Sequence, residues 1–468
     1  MAATGPTRSG FEPSEWKEVR GEATALLQTL LRIDTTNPPG NETQAARVLQ
    51  EVLAADGLES ELLESVPGRG NLVCRLECCP EGDRPAEPPL LLATHLDVVP
   101  AGDPGRWTRA PFSGDLHGGL IWGRGAVDMK NMVAMSAMVI KLLRRREARL
   151  RRDVIFVAVA DEEAGCTHGS RFLVENHPDR VRAGYALGEV GGYPVTIGRA
   201  RVMLVQTAEK GLCWLRVTAR GPAGHGSMPR PDSAVVRLAR ALARLGQRSL
   251  PQHNTPPVEA FIRQVASLQP LPHRLVLPRL LNPRLSGPIL DRLFPDRSKA
   301  ANLRALLHNT VAPTVLRAGE ATNVIPDEAV AELDGRTLPG QRPEDLIREL
   351  RELCGDELEL EFEVLREAPG AVNYPPDSPL WDCIRSVVRR HDRGLTVVPY
   401  MIPGFTDAKY FGLLGARWYG FAPVRLDPES GLSFGELFHG VDERIPEDGF
   451  HWGLQALHEV VESFCVRG

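Results

Sequence analysis

Residues 154–163 read VIFVAVADEE, a run of seven apolar residues followed by three acidic ones. An unbroken apolar run of this length, rich in β-branched side chains, predicts a strand buried on both faces. Glu162 and Glu163 then fall just beyond the end of that strand. Two neighbouring carboxylates repel each other, so they are either solvated at the surface or compensated by a cation. The pair alone does not decide between these alternatives.

The flanking segments alternate between strand and helix patterns. Helical spacing recurs at 16–33, 42–56 and 129–143, and strands are predicted at 71–76, 90–94 and 154–160. This alternation predicts an α/β domain with a largely parallel sheet, in which ligand sites form beyond the carboxyl ends of the strands. His95 and Asp97 follow the strand at 90–94. In extended geometry they share one face, so Asp97 can orient the imidazole of a metal-binding His95.

A second pattern begins after residue 206. Segments 212–220 and 328–337 alternate like half-exposed strands, whereas 232–245 and 342–354 have helical spacing. From residue 369 the first pattern returns. We therefore predict one domain at 1–206 and 369–468 and a smaller α/β domain inserted at 207–368. The Pro- and Leu-rich stretch at about 251–310 is too long for a simple loop and is predicted to be an extra insertion of short helices.

The composition excludes several classes of protein. The 468 residues predict two or three domains, and a net charge of −5 without a basic stripe argues against a nucleic-acid partner. No apolar run approaches the roughly 18–20 residues of a membrane span, and residues 1–10 lack the features of a secretory signal. Eight cysteines without a Cys-x-x-Cys pair indicate reduced, buried thiols. We expect a cytoplasmic protein with no nucleic-acid or membrane partner.

Further candidate ligands are spread along the chain. Taken singly, each has an ordinary explanation; Asp128, for example, follows a glycine-rich turn and could cap the next helix. Imidazoles and carboxylates are the ligands that suit zinc and similar dications, and a two-metal site needs a bridging carboxylate, an activated water and a nearby base. The inventory of two histidines, three carboxylate ligands and one spare glutamate fits such a hydrolytic site. Its members are His95, Asp128, Glu162, Glu163, Glu189 and His439.

Three motifs resemble the signatures of one enzyme family. They are THLDVVP at 94–100, GRGAVDMK at 123–130 and DEEAG at 161–165. The family is that of the dizinc amidohydrolases acetylornithine deacetylase, succinyl-diaminopimelate desuccinylase, aminoacylase, carboxypeptidase G and related dipeptidases. The resemblance covers nearly the whole chain. It implies that 1–206 and 369–468 form a catalytic domain and that 207–368 form a lid domain of the dimerisation type.

The resemblance also implies a complete metal centre. Asp128 would bridge two ions, with His95 and Glu189 completing one and Glu163 and His439 completing the other. The ions would be Zn²⁺, with Co²⁺ or Mn²⁺ as alternatives. Glu162 would be the general base, beside the ligand Glu163.

His439 is chosen among several late histidines by its context. It alone stands in a Phe-His-Gly-x-x-Glu arrangement similar to that of the family's final ligand. His391, His451 and His458 are interpreted as helix-surface histidines.

Substrate-binding residues are also implied by the resemblance. His225 in GHGSMP resembles the lid histidine that stabilises the oxyanion, and Asn323 and Arg336 resemble elements that hold the substrate carboxylate. Gly404 lies in PGFTDA, which resembles a loop whose backbone approaches the substrate, although Phe405 stands where the family has a small residue.

These residues predict a metal-dependent hydrolase of an amide or peptide bond next to a free carboxylate. It would be an N-acyl-amino-acid amidohydrolase or a carboxypeptidase, because in the family a glutamate at the position of Glu189 goes with these types. The alternatives are an aminopeptidase or dipeptidase of the same family and a non-catalytic binding relative. A homodimer through the lid is expected, although an enlarged lid is also compatible with a monomer. The preferred acyl group or side chain does not follow from the sequence.

Overall fold

The computed structural model describes most of the chain in two compact units. The first unit comprises residues 1–206, 374–398 and 406–468, and the second comprises 207–373 and 399–405. The second unit therefore extends beyond the boundary predicted at 368 and includes a separate short segment. Residues 1–10, in which no secretory signal was found, and the boundary residue 369 lie outside the described residues. The described residues are 12–78, 86–294, 297–368, 370, 372–426, 432 and 434–467.

The strands, numbered along the chain, have the following bounds: β1 Ser60–Glu64, β2 Gly70–Leu76, β3 Glu87–His95, β4 Leu116–His117, β5 Leu120–Trp122, β6 Arg152–Val159, β7 Tyr185–Gly188, β8 Tyr193–Ile197, β9 Ala200–Glu209, β10 Gly211–Arg220, β11 Gly224–His225, β12 Thr310–Ala318, β13 Val324–Ile325, β14 Glu328–Thr337, β15 Leu360–Glu367, β16 Thr396–Ile402, β17 Arg417–Gly420 and β18 Arg444–Pro446.

The helices have the following bounds: α1 Pro13–Leu31, α2 Glu42–Ala54, α3 Lys130–Arg145, α4 Ser170–Asn176, α5 Pro178–Val181, α6 Ala234–Gln247, α7 Pro256–Ser267, α8 His273–Val276, α9 Pro283–Leu293, α10 Arg297–Leu307, α11 Pro343–Cys354, α12 Pro379–His391, α13 Ala408–Phe411, α14 Phe434–Leu437 and α15 Glu447–Cys465. Short 3-10 helices lie at Pro104–Arg106, Leu277–Leu281, Asp356–Leu358 and Gly412–Leu414.

The first unit is built around a mixed sheet in the order β1-β2-β6-β3-β7-β17-β9-β16, with β8 beside β9. The central strands β6, β3, β7 and β17 run parallel. Antiparallel pairs lie on both sides, β1 with β2 and β2 with β6 on one, and β9 with β17 on the other. The predicted α/β class is confirmed, but the sheet is parallel only at its centre.

The apolar runs become the interior of this sheet, as their composition predicts. Residues 154–160 are fully buried, and 90–94 are at most 1% exposed. Helix α3 packs against α1 and α15, and each of its residues from Lys130 to Leu143 is buried. Continuous burial on both faces leaves few positions for polar side chains, so functional groups concentrate where the strands end.

The second unit has its own antiparallel sheet, in the order β12-β14-β10-β15. Helices α6 and α11 pack together and close a core that includes Leu215, Leu238, Leu333 and Leu346. Strands β11 and β13 form a separate two-stranded pair. Between residues 251 and 310 the chain forms α7, α8, α9 and α10.

Two further observations concern the chain as a whole. The seven described cysteines are free thiols; Cys383 is half-buried and the other six are buried. Among the described helices, none has the length and apolar character that crossing a bilayer would demand.

Candidate metal centre

Three neighbouring parallel strands carry site residues at their carboxyl ends. His95 is the last residue of β3 and is in register with Val159, the last residue of β6. Glu162 and Glu163 follow β6 within a few residues, and Glu189 directly follows β7, which pairs with β3 on its other side. Because parallel strands end at one edge of a sheet, these side chains converge there.

Asp128 lies between two histidine–carboxylate pairs. Its Oδ1 is 3.2 Å from His95 Nε2, which is also 3.6 Å from Glu189 Oε2. Its Oδ2 is 2.9 Å from His439 Nε2, which is also 3.3 Å from Glu163 Oε1. One carboxylate therefore presents one oxygen to each of two groups, which we call the His95 half and the His439 half. The structure brings all five predicted ligands together.

Asp97 holds both His95 and the glutamate pair in place. His95 Nδ1 lies 3.0 Å from the carbonyl oxygen of Asp97 and 3.5 Å from its Oδ1, so Nε2 points to Asp128 and Glu189. The Asp97 carboxylate also accepts hydrogen bonds from the backbone N–H groups of Glu162 and Glu163, each at 3.1 Å. The residue predicted to orient the imidazole thus also positions the glutamate pair.

The donor set fits two divalent cations. Asp128, Glu163 and Glu189 are almost wholly buried beside the buried His95, so their negative charge is poorly solvated, whereas His439 is partly exposed at the rim. Burial, together with the charge of Asp128, raises the pKa of Glu163 to about 7 and that of Glu189 to about 8. Glu162 Oε1 is buried and accepts no hydrogen bond from a described residue. A buried acceptor without a partner is costly, and cations beside it would relieve that cost.

Two overlapping clusters have ligand atoms within 4.8 Å of one another. One comprises His95, Glu162 and Glu189, and the other comprises His95, Asp128 and Glu163. Glu162 is therefore close enough to the His95 half either to bind an ion or to act as a base beside it. Its much raised pKa, caused first by burial and next by Glu189, favours a proton-carrying group.

Glu443 holds the loop that carries Asp128, a role that the sequence did not reveal. This glutamate is fully buried, and its Oε1 accepts hydrogen bonds from Val127 N at 2.7 Å and Asp128 N at 3.0 Å. Its Oε2 accepts from Arg124 Nη1 at 2.6 Å and Gly125 N at 3.0 Å. The signal was present, since Glu443 is the glutamate of the Phe-His-Gly-x-x-Glu context that selected His439.

A second polar network, also missed from the sequence, supports Asp97. Asn37 Nδ2 donates to Asp97 Oδ2 at 2.8 Å and to Asp161 Oδ1 at 3.0 Å. Arg69 pairs with Asp161 at 2.8 Å and with Glu42 at 2.9 Å. No local pattern in the sequence links Asn37 to Asp97.

Residues beside the site adopt left-handed backbone conformations. The φ angles are 67° at Asp161, 60° at Val190 and 59° at His439. Such angles are strained for side-chain-bearing residues, most of all for β-branched valine, and strain of this kind concentrates at functional sites. The strain here flanks the glutamate pair, Glu189 and the final histidine.

The predicted substrate-binding residues all lie in the second unit. His225 is exposed on β11, with Nδ1 2.8 Å from Ser227 Oγ, and the adjacent Gly226 N donates to Asn323 O at 2.7 Å. Arg336 on β14 donates two hydrogen bonds to Asp334. His225 and Asn323 therefore lie together within this unit.

Arg336 also lies beside the Gly404 loop. Its guanidinium carbon is 5.0 Å from the centroid of the Phe405 ring. The carbonyl oxygen of Gly404 accepts a hydrogen bond from Lys210 N at 3.1 Å. Phe405, the departure from the family's small residue, thus contacts the arginine predicted to bind carboxylate.

Several local interpretations are wrong. His451 and His458 are buried within α15 rather than exposed on it, and His391 pairs with Glu459 at 3.0 Å. Most of helix α15 is buried in the first unit, so several of its polar positions, His451 and His458 among them, face protein. Helical spacing could not reveal this, because it does not report how many sides of a helix are covered.

The structure also explains Asp128, which the sequence left open, and Cys166, one of the cysteines expected to be buried thiols. Asp128 does not cap α3, whose first residue is Lys130 and whose N-cap is Met129. Cys166 is a packed thiol, as expected, and its Sγ accepts a hydrogen bond from Lys409 Nζ at 3.1 Å. Burial raises the pKa of this thiol far above its usual range.

Residues 91–463 match the peptidase family M20/M25/M40. The chain belongs to this family. It is 29% identical over 391 residues to human N-fatty-acyl-amino acid synthase/hydrolase PM20D1, covering 82% of this chain and 75% of that relative. It is 27% identical over 458 residues to aminoacylase-1 of Sus scrofa, covering 97% of each chain.

The fold is shared with a solved member of the family. The M20 family metallo-carboxypeptidase Sso-CP2 from Sulfolobus solfataricus superposes with a TM-score of 0.69 at 18% identity, covering 94% of this chain and 98% of that one. The family assigned from the three motifs is thus confirmed.

Proposed function

We propose that the protein is a two-metal hydrolase that cleaves an amide or peptide bond next to a free carboxylate, as an N-acyl-amino-acid amidohydrolase or a carboxypeptidase. The observation that carries the proposal is the position of Asp128, whose two oxygens face the two histidines at 3.2 and 2.9 Å. The names of the relatives PM20D1 and aminoacylase-1 support the same class of substrate.

Each half of the centre would hold one ion, most naturally Zn²⁺, with Co²⁺ or Mn²⁺ as alternatives. His95 and Glu189 would hold the first ion, Glu163 and His439 the second, and Asp128 both. Bound ions of this kind polarise the scissile carbonyl and lower the pKa of water. Imidazole nitrogen and carboxylate oxygen are the ligands that zinc prefers when no thiolate is present.

Glu162 is the proposed general base. Its backbone N–H is held by Asp97 at 3.1 Å, and its Oε1 is buried without a hydrogen bond from a described residue. A positioned carboxylate with a raised pKa can take a proton from the attacking water and deliver it to the leaving nitrogen. Its neighbour Glu163 faces His439 instead, so the two adjacent glutamates have different tasks.

Substrate recognition is assigned to the second unit. His225 presents an exposed imidazole that can donate to the developing oxyanion, and Asn323 lies beside it. Arg336 can bind a carboxylate through paired N–H groups, in competition with Asp334. The backbone of Gly404 would approach the substrate, with Phe405 shaping the adjoining wall. We further propose a cytoplasmic location and a homodimer formed through the second unit, the latter to be tested by light scattering.

The test of the base is Glu162→Gln, with Glu175→Gln as an exposed control. If Glu162 is the base, the Glu162→Gln variant should keep its metal content, and its kcat should fall by about 10²–10⁴-fold. If Glu162 is instead a ligand, elemental analysis will show lost metal. Full activity of Glu162→Gln would overturn the assignment.

The test of the reaction is a panel of N-acyl amino acids, N-blocked dipeptides and free dipeptides, assayed with Zn²⁺ or Co²⁺. Release of amino acids from N-acylated substrates is expected. Turnover of free dipeptides alone would instead indicate the aminopeptidase or dipeptidase alternative. No turnover despite full metal occupancy would indicate a binding relative.

A further inference from the structure

The stretch from 251 to 310 differs in charge from the rest of the chain. It has eight Lys and Arg against three Asp and Glu, whereas the whole protein carries a net charge of −5. From 260 to 290 the sequence contains four arginines and no acidic residue. A positive field of this kind attracts an anionic partner.

Large apolar side chains are exposed in the same stretch. Leu271, Leu275 and Leu285 are 68%, 58% and 40% exposed. Single exposed leucines are common, whereas three within one short segment of the sequence make that segment a candidate interaction site.

Arginines accompany these leucines. Arg274, Arg279 and Arg284 are exposed, and within the part of the chain that the structure describes none of them forms an ion pair. We call the six residues the arginine–leucine face. Its members are Leu271, Arg274, Leu275, Arg279, Arg284 and Leu285.

The opposite side of this segment is anchored to the second unit, which explains why these side chains point outward. Helix α9 buries Ser286, Ile289 and Leu290 at the spacing of one helical face and leaves Arg284 and Leu285 exposed.

Hydrogen bonds add to this anchoring. The Gln252 amide donates to Leu280 O and accepts from Ser286 Oγ, and Asn254 Nδ2 donates to Leu281 O. The arginine–leucine face is therefore displayed by a fixed support.

We propose that the arginine–leucine face docks on an anionic phospholipid surface. Arginines bind lipid phosphates, and neighbouring leucines insert at the boundary between headgroups and acyl chains. Arg274 and Arg284 each directly precede an exposed leucine, so charge and apolar surface alternate over short distances. A fluid bilayer accommodates this arrangement without the matched shape that a protein partner would need. The proposal revises the expectation of no membrane partner, which rested on the absence of a span, and it does not depend on the substrate assigned above.

The test is co-sedimentation of the metal-loaded, full-length protein with vesicles. Vesicles of phosphatidylcholine alone are compared with vesicles containing about 30% phosphatidylglycerol, at about 0.1 M and about 0.5 M NaCl. Binding is expected only to the anionic vesicles and is expected to weaken at the higher salt. No binding to anionic vesicles, or equal binding to both compositions, would overturn the proposal.

Two variants separate the contributions of charge and apolar surface. The triple variant Arg274→Gln/Arg279→Gln/Arg284→Gln should bind anionic vesicles at least about tenfold more weakly. Leu271→Gln/Leu275→Gln should also reduce vesicle binding. It should abolish the binding that the parent protein retains at about 0.5 M NaCl.

The matched control is Leu316→Gln/Arg317→Gln, an adjacent exposed pair on β12 with Leu316 64% exposed. It should bind like the parent, and an equal loss in this variant would refute the assignment of the face. Light scattering on all variants tests the other occupant, a second copy of the chain. A dimer that dissociates only in the Leu271→Gln/Leu275→Gln variant would show that the face is a subunit interface, and would refute lipid docking.

Discussion

Replacing Glu443 by glutamine should weaken both the fold of the first unit and its metal centre. The carboxylate accepts from two donors on each oxygen: Val127 N and Asp128 N on Oε1, and Arg124 Nη1 and Gly125 N on Oε2. A glutamine amide has one oxygen and one NH₂ group. In either orientation of the amide, its NH₂ group faces two hydrogen-bond donors that the carboxylate oxygen had accepted from.

The magnitude follows from what is left behind. Arg124 is only 2% exposed and would lose its buried counter-charge, which costs about 3–5 kcal/mol when one partner of such a pair is removed. The backbone N–H groups that lose their acceptor belong to the same hydrogen-bond network as Arg124. Their contribution to the loss of stability is therefore included in this figure and is not added to it. Because Asp128 N loses its anchor, metal affinity should also fall about 10–100-fold.

The assay measures the free energy of unfolding of the apo protein in urea. The unfolding is monitored with a signal from the first unit, because a protein with two units does not in general unfold in one step. Metal affinity is measured by competition with a chelator. Glu436→Gln, an exposed glutamate on α14, is the matched control and should change neither quantity. The double variant Arg124→Met/Glu443→Gln should recover part of the loss, since it leaves no uncompensated charge. A change below about 0.5 kcal/mol in Glu443→Gln, with metal affinity intact, would refute the reasoning.

Three further predictions concern single residues. Asp128→Asn should reduce binding of both ions, because both halves share this carboxylate; elemental analysis that still finds two ions per chain would contradict the bridging role. Arg336→Lys should raise KM for an N-acyl amino acid with little change in kcat, since lysine cannot donate two parallel hydrogen bonds to a carboxylate; unchanged kinetics, with Arg317→Lys as the control, would remove Arg336 from the substrate site. Burial lowers the pKa of His458 from its ordinary value of 6.5 to about 4. Between these pH values His458 binds a proton in the unfolded chain but not in the native state. The free energy of unfolding should therefore fall as the pH falls from 6.5 to 4, and His458 accounts for about 3 kcal/mol of that fall at most. His458→Leu should flatten that part of the pH–stability profile, and a profile parallel to that of the parent would contradict the assignment.

Much of the first unit follows from local sequence. Runs such as 154–160 are short, apolar and rich in β-branched residues, which favours buried strands, and in a parallel sheet the residues just after such strands meet at one edge. That reasoning alone brought His95 and Glu162 to a common site. The three motifs then supplied the family and its expected ligands.

Tertiary structure decided what joins distant parts of the chain. Asp128 and His439 are 311 residues apart, and Glu443 reaches back 315 residues to Asp128 N. Hydrophobic periodicity reports only which face of an element is covered, not which residue covers it. For the same reason the burial of His458 could not be read from its helix.

The glutamate pair shows both contributions. The sequence by itself predicted that Glu162 and Glu163 follow a buried strand, because a short apolar run rich in β-branched residues favours a strand covered on both faces. The family resemblance assigned them different roles, but only the tertiary structure decided their neighbours: Glu163 Oε1 lies 3.3 Å from His439 Nε2, whereas Glu162 groups with His95 and Glu189. The physical reason is that Asp97, which follows β3, holds the backbone of both glutamates after β6, and this contact exists only once β3 and β6 are paired.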